Sequence, residues 1–316
     1  MGYRSRTAVL GLLSIVLILV FVFYDVGANW QYILSKRTMK VLAIVLTGGA
    51  IAFSTVIFQT ITNNRILTPN IMGLDSLYLL IQTIIVFLLG SVTLTQMDNN
   101  VHFLMTVGLM VIFALLLYKF LFSGQDRSIY FLLLIGIICG TFFDSFSSFM
   151  QVLIDPNEFQ IVQDRMFASF NNIKTDLLLV ASLLIALVSF YFMPFMKYLD
   201  VLAMGREHAI NLGVEYDYVV KRLLVIVAVL ISIATALVGP ITFLGLLVVN
   251  VTYEFLKTYR HSFLIIGSIF IAIIALVGGQ FVVERIFAFS TTLSVILNFV
   301  GGIYFIYLLL KENKSW

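Results

Sequence analysis

The chain has 316 residues, of which 61% are hydrophobic and only 11% are charged. Because a soluble domain carries about 25% charged residues, this composition excludes an ordinary soluble protein and indicates a polytopic membrane protein. The formal net charge of +3 is too small to indicate a nucleic-acid partner, and the single cysteine, Cys139, excludes an internal disulfide and any multi-cysteine metal or redox site.

Long apolar runs predict an all-α fold with about ten membrane-spanning helices in one domain covering residues 1–316. A hydrocarbon core of about 30 Å requires about 20 apolar residues per helix. Runs of this kind cover residues 7–24, 39–61, 74–94, 102–122, 129–151, 176–195, 221–238, 241–257, 262–283 and 291–310. The first run follows Arg4 and Arg6 and lacks a small-residue cleavage site, so we interpret it as an uncleaved helix. Only Gly239 and Pro240 separate the seventh run from the eighth, which leaves two spans and a broken helix with a re-entrant turn equally open.

The distribution of Lys and Arg predicts the orientation of the chain. With the N-terminus inside, the inner segments contain thirteen of the 19 basic residues and the outer segments contain six. Since cytoplasmic loops are enriched in Lys and Arg, both termini are expected in the cytoplasm. The segment 196–222 then also lies in the cytoplasm, and the segment 154–175 forms the largest outer loop, which we expect to contain a short surface helix.

The segment 196–222, MKYLDVLAMGREHAINLGVEYDYVVKR, is the longest polar stretch of the chain. Its apolar residues recur at roughly helical spacing with charged residues between them, which predicts short amphipathic helices broken near Gly205 and Gly213. One interpretation is a solvated loop that serves solubility and orientation only. The other is a surface on which a cytoplasmic partner acts.

Motifs for catalysis and nucleotide binding are missing from the sequence. It contains no HExxH, GxSxG or CxxC pattern and no acidic pair at metal spacing, so we expect neither an enzyme nor a metal site. It also lacks GxxxxGK[ST], so any ATP used must bind to a separate subunit.

Polar residues inside apolar runs are candidates for lining a translocation pathway, because each is costly in hydrocarbon. Asp144 is interpreted as the one carboxylate well inside a predicted span, and Ser145, Ser147 and Ser148 follow it. The alternative is a hydrogen-bonded acid with a structural role. The pathway candidates are Gln59, Asp144, Gln151 and Asn298.

Three segments together resemble the permeases of ABC importers for iron siderophores, haem and cobalamin, the FecCD family. The first, QTITNNRILTPNIMG, is similar to the family pattern through Gln59, Asn64, Leu67, Pro69 and Gly73. The second, LDVLAMGREHAINLG, matches through Leu199, Leu202, Gly205, Ala209, Leu212 and Gly213. The third, GPITFLGLLVVN, matches through Gly239, Pro240, Ile241, Phe243, Gly245 and Leu246.

Some positions depart from the family pattern. Val249 and Asn250 replace a proline and a histidine, and Arg65 and Ile66 stand where the family has N-P-L. The outer-loop segment RMFASFNN also lacks the usual tryptophan. These differences indicate a distinct branch, most similar to permeases of catecholate siderophore systems.

The resemblance implies a type II ABC importer permease with ten helices per subunit and a second permease, identical or homologous. It also implies ATPase subunits that hold ATP and Mg²⁺, an extracytoplasmic siderophore-binding protein, surrounding membrane lipid and no nucleic acid. The segment 196–222 would then contain the helices that couple to the ATPase. The coupling residues so implied are Leu199, Asp200, Leu202, Ala203, Gly205, Arg206, Glu207, Ala209, Leu212 and Gly213.

Basic residues on the outer face are implied to dock the binding protein, as in the family. Arg37 and Lys40, in KRTMK, match that role, and Arg285 is a further candidate. Charge pairs of this kind orient a transient partner more than they hold it. The alternative is simple anchoring at lipid headgroups.

The resemblance therefore predicts an importer permease for iron(III)-siderophores, with the catecholate type preferred, in the bacterial cytoplasmic membrane. A secondary transporter driven by an ion gradient is the main rival, which only Asp144 and the break at Gly239 and Pro240 favour. A membrane-embedded enzyme ranks third. Neighbouring genes for an ATPase and a binding protein would separate the importer from both.

Overall fold

The computed structural model describes residues 2–27, 29–122, 129–171, 173 and 175–312. These residues form α-helices, two short 3-10 helices and turns, and no strand occurs among them. The helices are α1 (Tyr3–Phe23), α2 (Trp30–Thr62), α3 (Leu74–Gln96), α4 (Asn99–Phe122), α5 (Ile129–Leu153), α6 (Pro156–Met166), α7 (Thr175–Phe192), α8 (Met196–Leu202), α9 (Arg206–Asn211), α10 (Tyr216–Val238), α11 (Leu244–Leu256), α12 (His261–Arg285) and α13 (Leu293–Glu312).

The prediction of about ten apolar spans in an all-α chain is confirmed by the lengths and compositions of these helices. Within the described residues, eight helices are long and apolar enough to cross a bilayer, and two shorter apolar helices, Leu74–Gly90 and Leu244–Leu256, bring the number of apolar helices to ten. The short helix predicted in the outer loop 154–175 is α6, whose N-terminus is capped by the Asp155 carboxylate.

The core of the bundle is built around α2, α10 and α12. The apolar windows of α2 and α10 are 72% buried, whereas that of α7 is only 17% buried. A helix that is apolar on all sides belongs in the interior or in lipid, so α2 and α10 form the centre and α7 lies at the periphery. Large apolar side chains on α1, α5, α7 and α13 remain exposed, as expected for faces that contact lipid or a second subunit.

Gly73, Gly136 and Gly140 allow the closest backbone contact in the bundle. Gly73 has φ +76°, and a Cβ added there would lie 2.9 Å from the Cα of Gly140. A Cβ on Gly136 would lie 2.8 Å from the Cα of Met72. The GxxxG spacing thus permits α5 to pack directly on the segment that precedes α3.

Two segments interrupt the helical bundle between spans. Residues 63–73 connect α2 to α3 through a left-handed Asn63 and the 3-10 helix Pro69–Met72, and residues 239–243 connect α10 to α11. With 13 residues, α11 is about 20 Å long, which is shorter than a hydrocarbon core. Of the two possibilities at Gly239 and Pro240, the structure therefore favours the re-entrant break.

Candidate functional site

The coupling segment consists of α8, α9 and the turns at Gly205 and Gly213, whose φ angles are +98° and +82°. The predicted breaks at these two glycines are thus confirmed. Leu199, Leu202 and Ala209 are at most 1% exposed, so these three residues anchor the segment to the rest of the permease.

The outward face of the coupling segment is a mixture of apolar and charged side chains. Met204, Ile210 and Leu212 are 58%, 44% and 63% exposed, and Arg206 and Glu207 are exposed between them. Ala203 and Gly213 are also exposed, and Gly205 is half-buried. Exposed apolar residues in a polar segment are typical of a surface that a protein partner covers. Met204 and Ile210 lie on this exposed face, although the residues predicted for coupling do not include them.

Asp200 connects the coupling segment to α12. Its Oδ1 accepts a hydrogen bond from the backbone N–H of His261 at 2.9 Å and lies 2.6 Å from the Nδ1 of the same residue. The His261 side chain is 5% exposed, whereas that of Asp200 is 52% exposed. Asp200 therefore has one oxygen directed into the permease and remains accessible on its other side.

Helices α2 and α11 meet at the backbone carbonyl of Arg65, in the segment that follows α2. This oxygen accepts hydrogen bonds from Gln59 Nε2 at 2.7 Å and from Asn250 Nδ2 at 2.9 Å. Arg65 and Asn250 are two of the positions that depart from the family pattern, and here they contact each other. Gln59 is 2% exposed and borders a cavity of about 610 Å³ that opens beside Arg65 and Lys257. Its contacts favour a structural role over pathway lining.

Asp75 is a second intramembrane carboxylate, which the sequence interpretation missed. Its two carboxylate oxygens accept hydrogen bonds from Asn70 Nδ2 at 2.8 Å, Thr235 Oγ1 at 3.2 Å and Thr242 Oγ1 at 3.3 Å. Asn70 and Thr242 lie in the two segments that interrupt the bundle. Non-helical backbone at membrane depth must be satisfied within the protein, and Asp75 supplies acceptors where these segments meet.

One edge of the exposed face of α5 is polar. Thr141, Asp144, Ser145 and Ser148 are exposed and fall within about 100° of the helix circumference. Ser147 does not belong to this stripe, because it is 3% exposed and its hydroxyl lies 2.8 Å from that of Thr83.

The predicted pathway residues do not form one cluster. Gln151 lies on α5 but donates to Ser147 and Thr83, at 2.9 Å and 3.3 Å. Asn298 is on α13, and its buried Oδ1 has no hydrogen-bond partner among the described residues. Of the four candidates, Asp144 alone faces outward from the subunit.

The basic residues predicted for docking have partners within the chain. Arg37 donates to the carbonyls of Val22 and Tyr24 at the end of α1, at 3.0 Å and 2.6 Å. Lys40 forms a 2.6 Å salt bridge with Glu284.

Arg285 and Lys36 lie near Arg37 and Lys40, at the same end of the bundle. Arg285 forms a 2.8 Å salt bridge with Asp25. Lys36 is exposed, has no carboxylate partner among the described residues, and borders a cavity of about 390 Å³ with Tyr32 and Asp176. Of these four basic residues, Lys36 alone makes no hydrogen bond or ion pair with the described residues, and its Nζ lies 5.6 Å from the centroid of the Tyr32 ring.

The remaining motif residues shape the backbone. Asn64 Oδ1 accepts a hydrogen bond from the backbone N–H of Ile66 at 2.8 Å. Pro69 is the first residue of the 3-10 helix Pro69–Met72. Gly239 has φ +100° and packs against Ala168. The other close contacts join Phe243 to Gly301 and Gly245 to Thr55, and Pro240 lies in the break between α10 and α11.

A bundle of ten apolar helices, two interruptions within it and an amphipathic segment at one end defines a polytopic membrane permease. The chain belongs to the FecCD transport family, whose sequence pattern matches residues 8–311. This match confirms the resemblance found in the three sequence segments.

The curated relatives include permease proteins of similar length. The chain is 66% identical to the petrobactin import system permease protein YclO of Bacillus subtilis over 316 residues, which cover 100% of both chains. It is 36% identical to FatC of Bacillus anthracis over 89% of this chain and 79% of the relative. It is 26% identical to FatD of Bacillus anthracis, over 88% and 81% respectively. Both are described as petrobactin import system permease proteins.

A solved structure shares the fold. An inward-facing metal-chelate type ABC transporter superposes with a TM-score of 0.85 at 20% identity, over 98% of this chain and 100% of the other. At this identity the likeness establishes the fold alone. The predicted type II ABC importer permease fold is thereby confirmed.

Proposed function

We propose that this chain is a transmembrane permease subunit of an ABC importer that moves iron(III)-petrobactin, a catecholate-type siderophore complex, across the bacterial cytoplasmic membrane. The observation that carries the proposal is the full-length, 66% identity to a petrobactin import permease. The chain supplies the pathway and does not itself hydrolyse ATP.

A separate ATPase subunit, which holds ATP and Mg²⁺, binds the coupling segment 196–222. The exposed apolar residues Met204, Ile210 and Leu212 support this assignment, since they form a surface for a protein partner at one end of the bundle. The Lys and Arg distribution supports placing this end, and both termini, in the cytoplasm.

The second permease subunit is a homologous chain rather than a copy of this one. FatC and FatD of Bacillus anthracis carry the same description, yet this chain is 36% identical to the first and 26% identical to the second. Two different permease chains for one cargo imply a pair, in which this chain takes the FatC-like position. The exposed faces of α5 and α13 are the surfaces for pairing and for the pathway, with Asp144 lining the path.

An extracytoplasmic siderophore-binding protein docks on the outer basic surface formed by Lys36, Arg37, Lys40 and Arg285. Because hydrogen bonds and ion pairs within the chain hold Arg37, Lys40 and Arg285, their positions are fixed, and Lys36 adds an exposed charge. Exposed charges of this kind steer association.

Uptake by the reconstituted complex tests the proposed function. The chain, its homologous partner, the ATPase and the binding protein are placed in proteoliposomes, and accumulation of ⁵⁵Fe-labelled ferric petrobactin is measured. We expect uptake that requires ATP and the binding protein and that survives dissipation of ion gradients. Uptake that persists without ATP and stops when the gradient collapses would favour a secondary transporter instead.

A further inference from the structure

We infer that α12 transmits the movement of the coupling segment to the outer face, with the Asp200–His261 contact as its inner attachment. This inference rests on the proposed function, because it assumes that an ATPase presses on the coupling segment. Asp200 and His261 act as positioning residues, since neither is required to touch the transported cargo.

The inner attachment is short and directional. The Oδ1 of Asp200 accepts a hydrogen bond from the backbone N–H of His261, with an N to O distance of 2.9 Å. The same oxygen lies 2.6 Å from Nδ1 of the His261 imidazole. His261 is the first residue of α12, so the carboxylate satisfies one of the backbone donors that a helix N-terminus leaves unpaired. With His261 buried, displacement of α8 must move the start of α12 or break both contacts.

The body of α12 suits a rigid transmitter. It runs unbroken for 25 residues, from His261 to Arg285, which corresponds to about 37 Å. It packs along α1, α2 and α11, and it stays helical across Gly267 and across the pair Gly278 and Gly279. Packed helices respond to a push at one end by small whole-body shifts rather than by bending.

The outer end of α12 is attached to three other parts of the permease. The Oε1 of Glu284 accepts a hydrogen bond from Lys40 Nζ of α2 at 2.6 Å. Gln280 Nε2 donates a hydrogen bond to Asn171 Oδ1 of the outer loop at 3.2 Å. Arg285 pairs with Asp25 between α1 and α2. Lys40 also borders the outer cavity that contains Lys36, so movement of α12 reaches the proposed docking surface.

The inner attachment is tested by the number of ⁵⁵Fe-petrobactin molecules imported per ATP hydrolysed in the reconstituted complex. Asp200→Ala and His261→Ala are each expected to lower this ratio at least fivefold while hydrolysis continues. Asp200→Asn keeps an acceptor for the His261 N–H, so it is expected to retain most of the ratio. Ser262→Ala, one residue along α12, serves as the matched control and is expected to match the wild type.

The outer attachment provides a second, independent test. Glu284→Gln weakens the contact with Lys40 and is expected to lower the same ratio, and it also serves if the Asp200 variants do not assemble. Effects at sites this far apart usually combine independently. Transmission through α12 instead predicts that Asp200→Ala with Glu284→Gln is no worse than the more damaging single change.

Two outcomes overturn the inference: a wild-type ratio in both Asp200→Ala and Glu284→Gln, or losses that multiply in the double variant. Failure of the wild-type complex to import ferric petrobactin at the expense of ATP contradicts the proposed function itself. The two failures are therefore distinguishable.

Discussion

Gly73 has no room for a side chain, and its backbone adopts a left-handed conformation that favours glycine. An added Cβ would lie 2.9 Å from the Cα of Gly140, and φ is +76°. Backbone strain of this kind costs about 1–3 kcal/mol, and the steric conflict adds to it. We expect Gly73→Ala to lower the thermal unfolding midpoint in detergent clearly.

Gly108→Ala is the matched control for this prediction, because a Cβ at Gly108 meets no atom within 4 Å. Since alanine favours a helix, the control is expected to keep or slightly raise the midpoint. Equal midpoints for the two variants would contradict the close contact between Gly73 and α5.

Lys36 permits a clean test of docking on the outer surface. Lys36→Glu reverses an exposed charge without breaking a hydrogen bond or an ion pair, unlike reversal at Arg37 or Lys40, and it removes only the 5.6 Å contact of Lys36 with the Tyr32 ring. We expect about tenfold weaker association with the binding protein at low salt, with the difference shrinking as the Debye length falls below about 10 Å. Surface plasmon resonance at several salt concentrations measures it.

Lys257→Glu provides the control for Lys36→Glu, because Lys257 is exposed at the opposite end of the bundle, beside the inner cavity. Its association constant is expected to equal that of the wild type. An unchanged association constant for Lys36→Glu itself would remove Lys36 from the docking surface.

Individual polar partners are the features that the sequence predicted least well. Asp75 stands at the start of an apolar run, where a carboxylate normally lies at the membrane surface. Its role depends on Thr235, 160 residues away in the chain. The partner of Lys40 is similarly distant, 244 residues away. Hydropathy contains no information on such pairs, so only the folded structure identifies them.

The elements α8 and α9 have a buried side and an exposed side, which gives two leucines different roles. Leu212 is 63% exposed, so Leu212→Glu is expected to weaken ATPase binding severely and leave the stability of the permease unchanged. Leu202 is 1% exposed, so Leu202→Glu is expected to lower stability by several kcal/mol, since a carboxylate is forced into an apolar site. Co-purification of the ATPase and thermal unfolding in detergent measure these effects separately.

The predicted contrast between Leu212 and Leu202 requires that the two measurements differ. If Leu202→Glu unfolds the permease and Leu212→Glu still binds the ATPase fully, the segment is a solvated loop. That outcome would revive the alternative interpretation of its sequence.

The polar stripe on α5 is expected to contact water in the assembled importer. In a Cys139→Ala background, Ser145→Cys should react with a charged, water-soluble thiol reagent, because Asp144 and Ser148 share its edge of the helix. Phe146→Cys, on an exposed apolar part of the same helix about 100° around the circumference from Ser145, should react much more slowly. Similar labelling rates, measured by mass shift, would return Asp144 to a structural role.

At the scale of elements, the sequence predicted spans well and interruptions poorly. All ten predicted runs begin or end within about two residues of a helix end in the structure, because about 20 apolar residues define a span by length alone. The run 241–257 looks like another full span, yet its helix begins only at Leu244. Hydropathy identifies an apolar segment but does not determine whether that segment crosses the membrane or turns back. The choice between two spans and a break at Gly239 and Pro240 was therefore left open.

The whole importer is expected to contain two different permease chains. Co-expression of this chain with a FatD-like homologue should yield a 1:1 complex, and tagged and untagged copies of this chain should not purify together. Native mass spectrometry measures the composition. A complex that contains this chain twice and no homologue would contradict the proposed pairing.

At this scale, the fold and the family were predictable from three short segments, because these segments contain glycines at close contacts. Gly73 and Gly239 lie against the backbone of another segment, and Gly245 lies against the Thr55 side chain. The same segments did not reveal α12 as a connecting element. Its two attachments use Asp200 and Glu284, whose partners lie far away in the chain.

The shared carbonyl of Arg65 has an evolutionary consequence. A carbonyl oxygen has two lone pairs, and the amides of Gln59 and Asn250 occupy both. If one amide is lost, the oxygen still accepts a hydrogen bond from the other. If both are lost, the oxygen has no donor from either side chain, which is costly for a buried carbonyl. Either amide can therefore be replaced while the other is retained, and this redundancy explains how a residue other than the family's histidine is tolerated at Asn250.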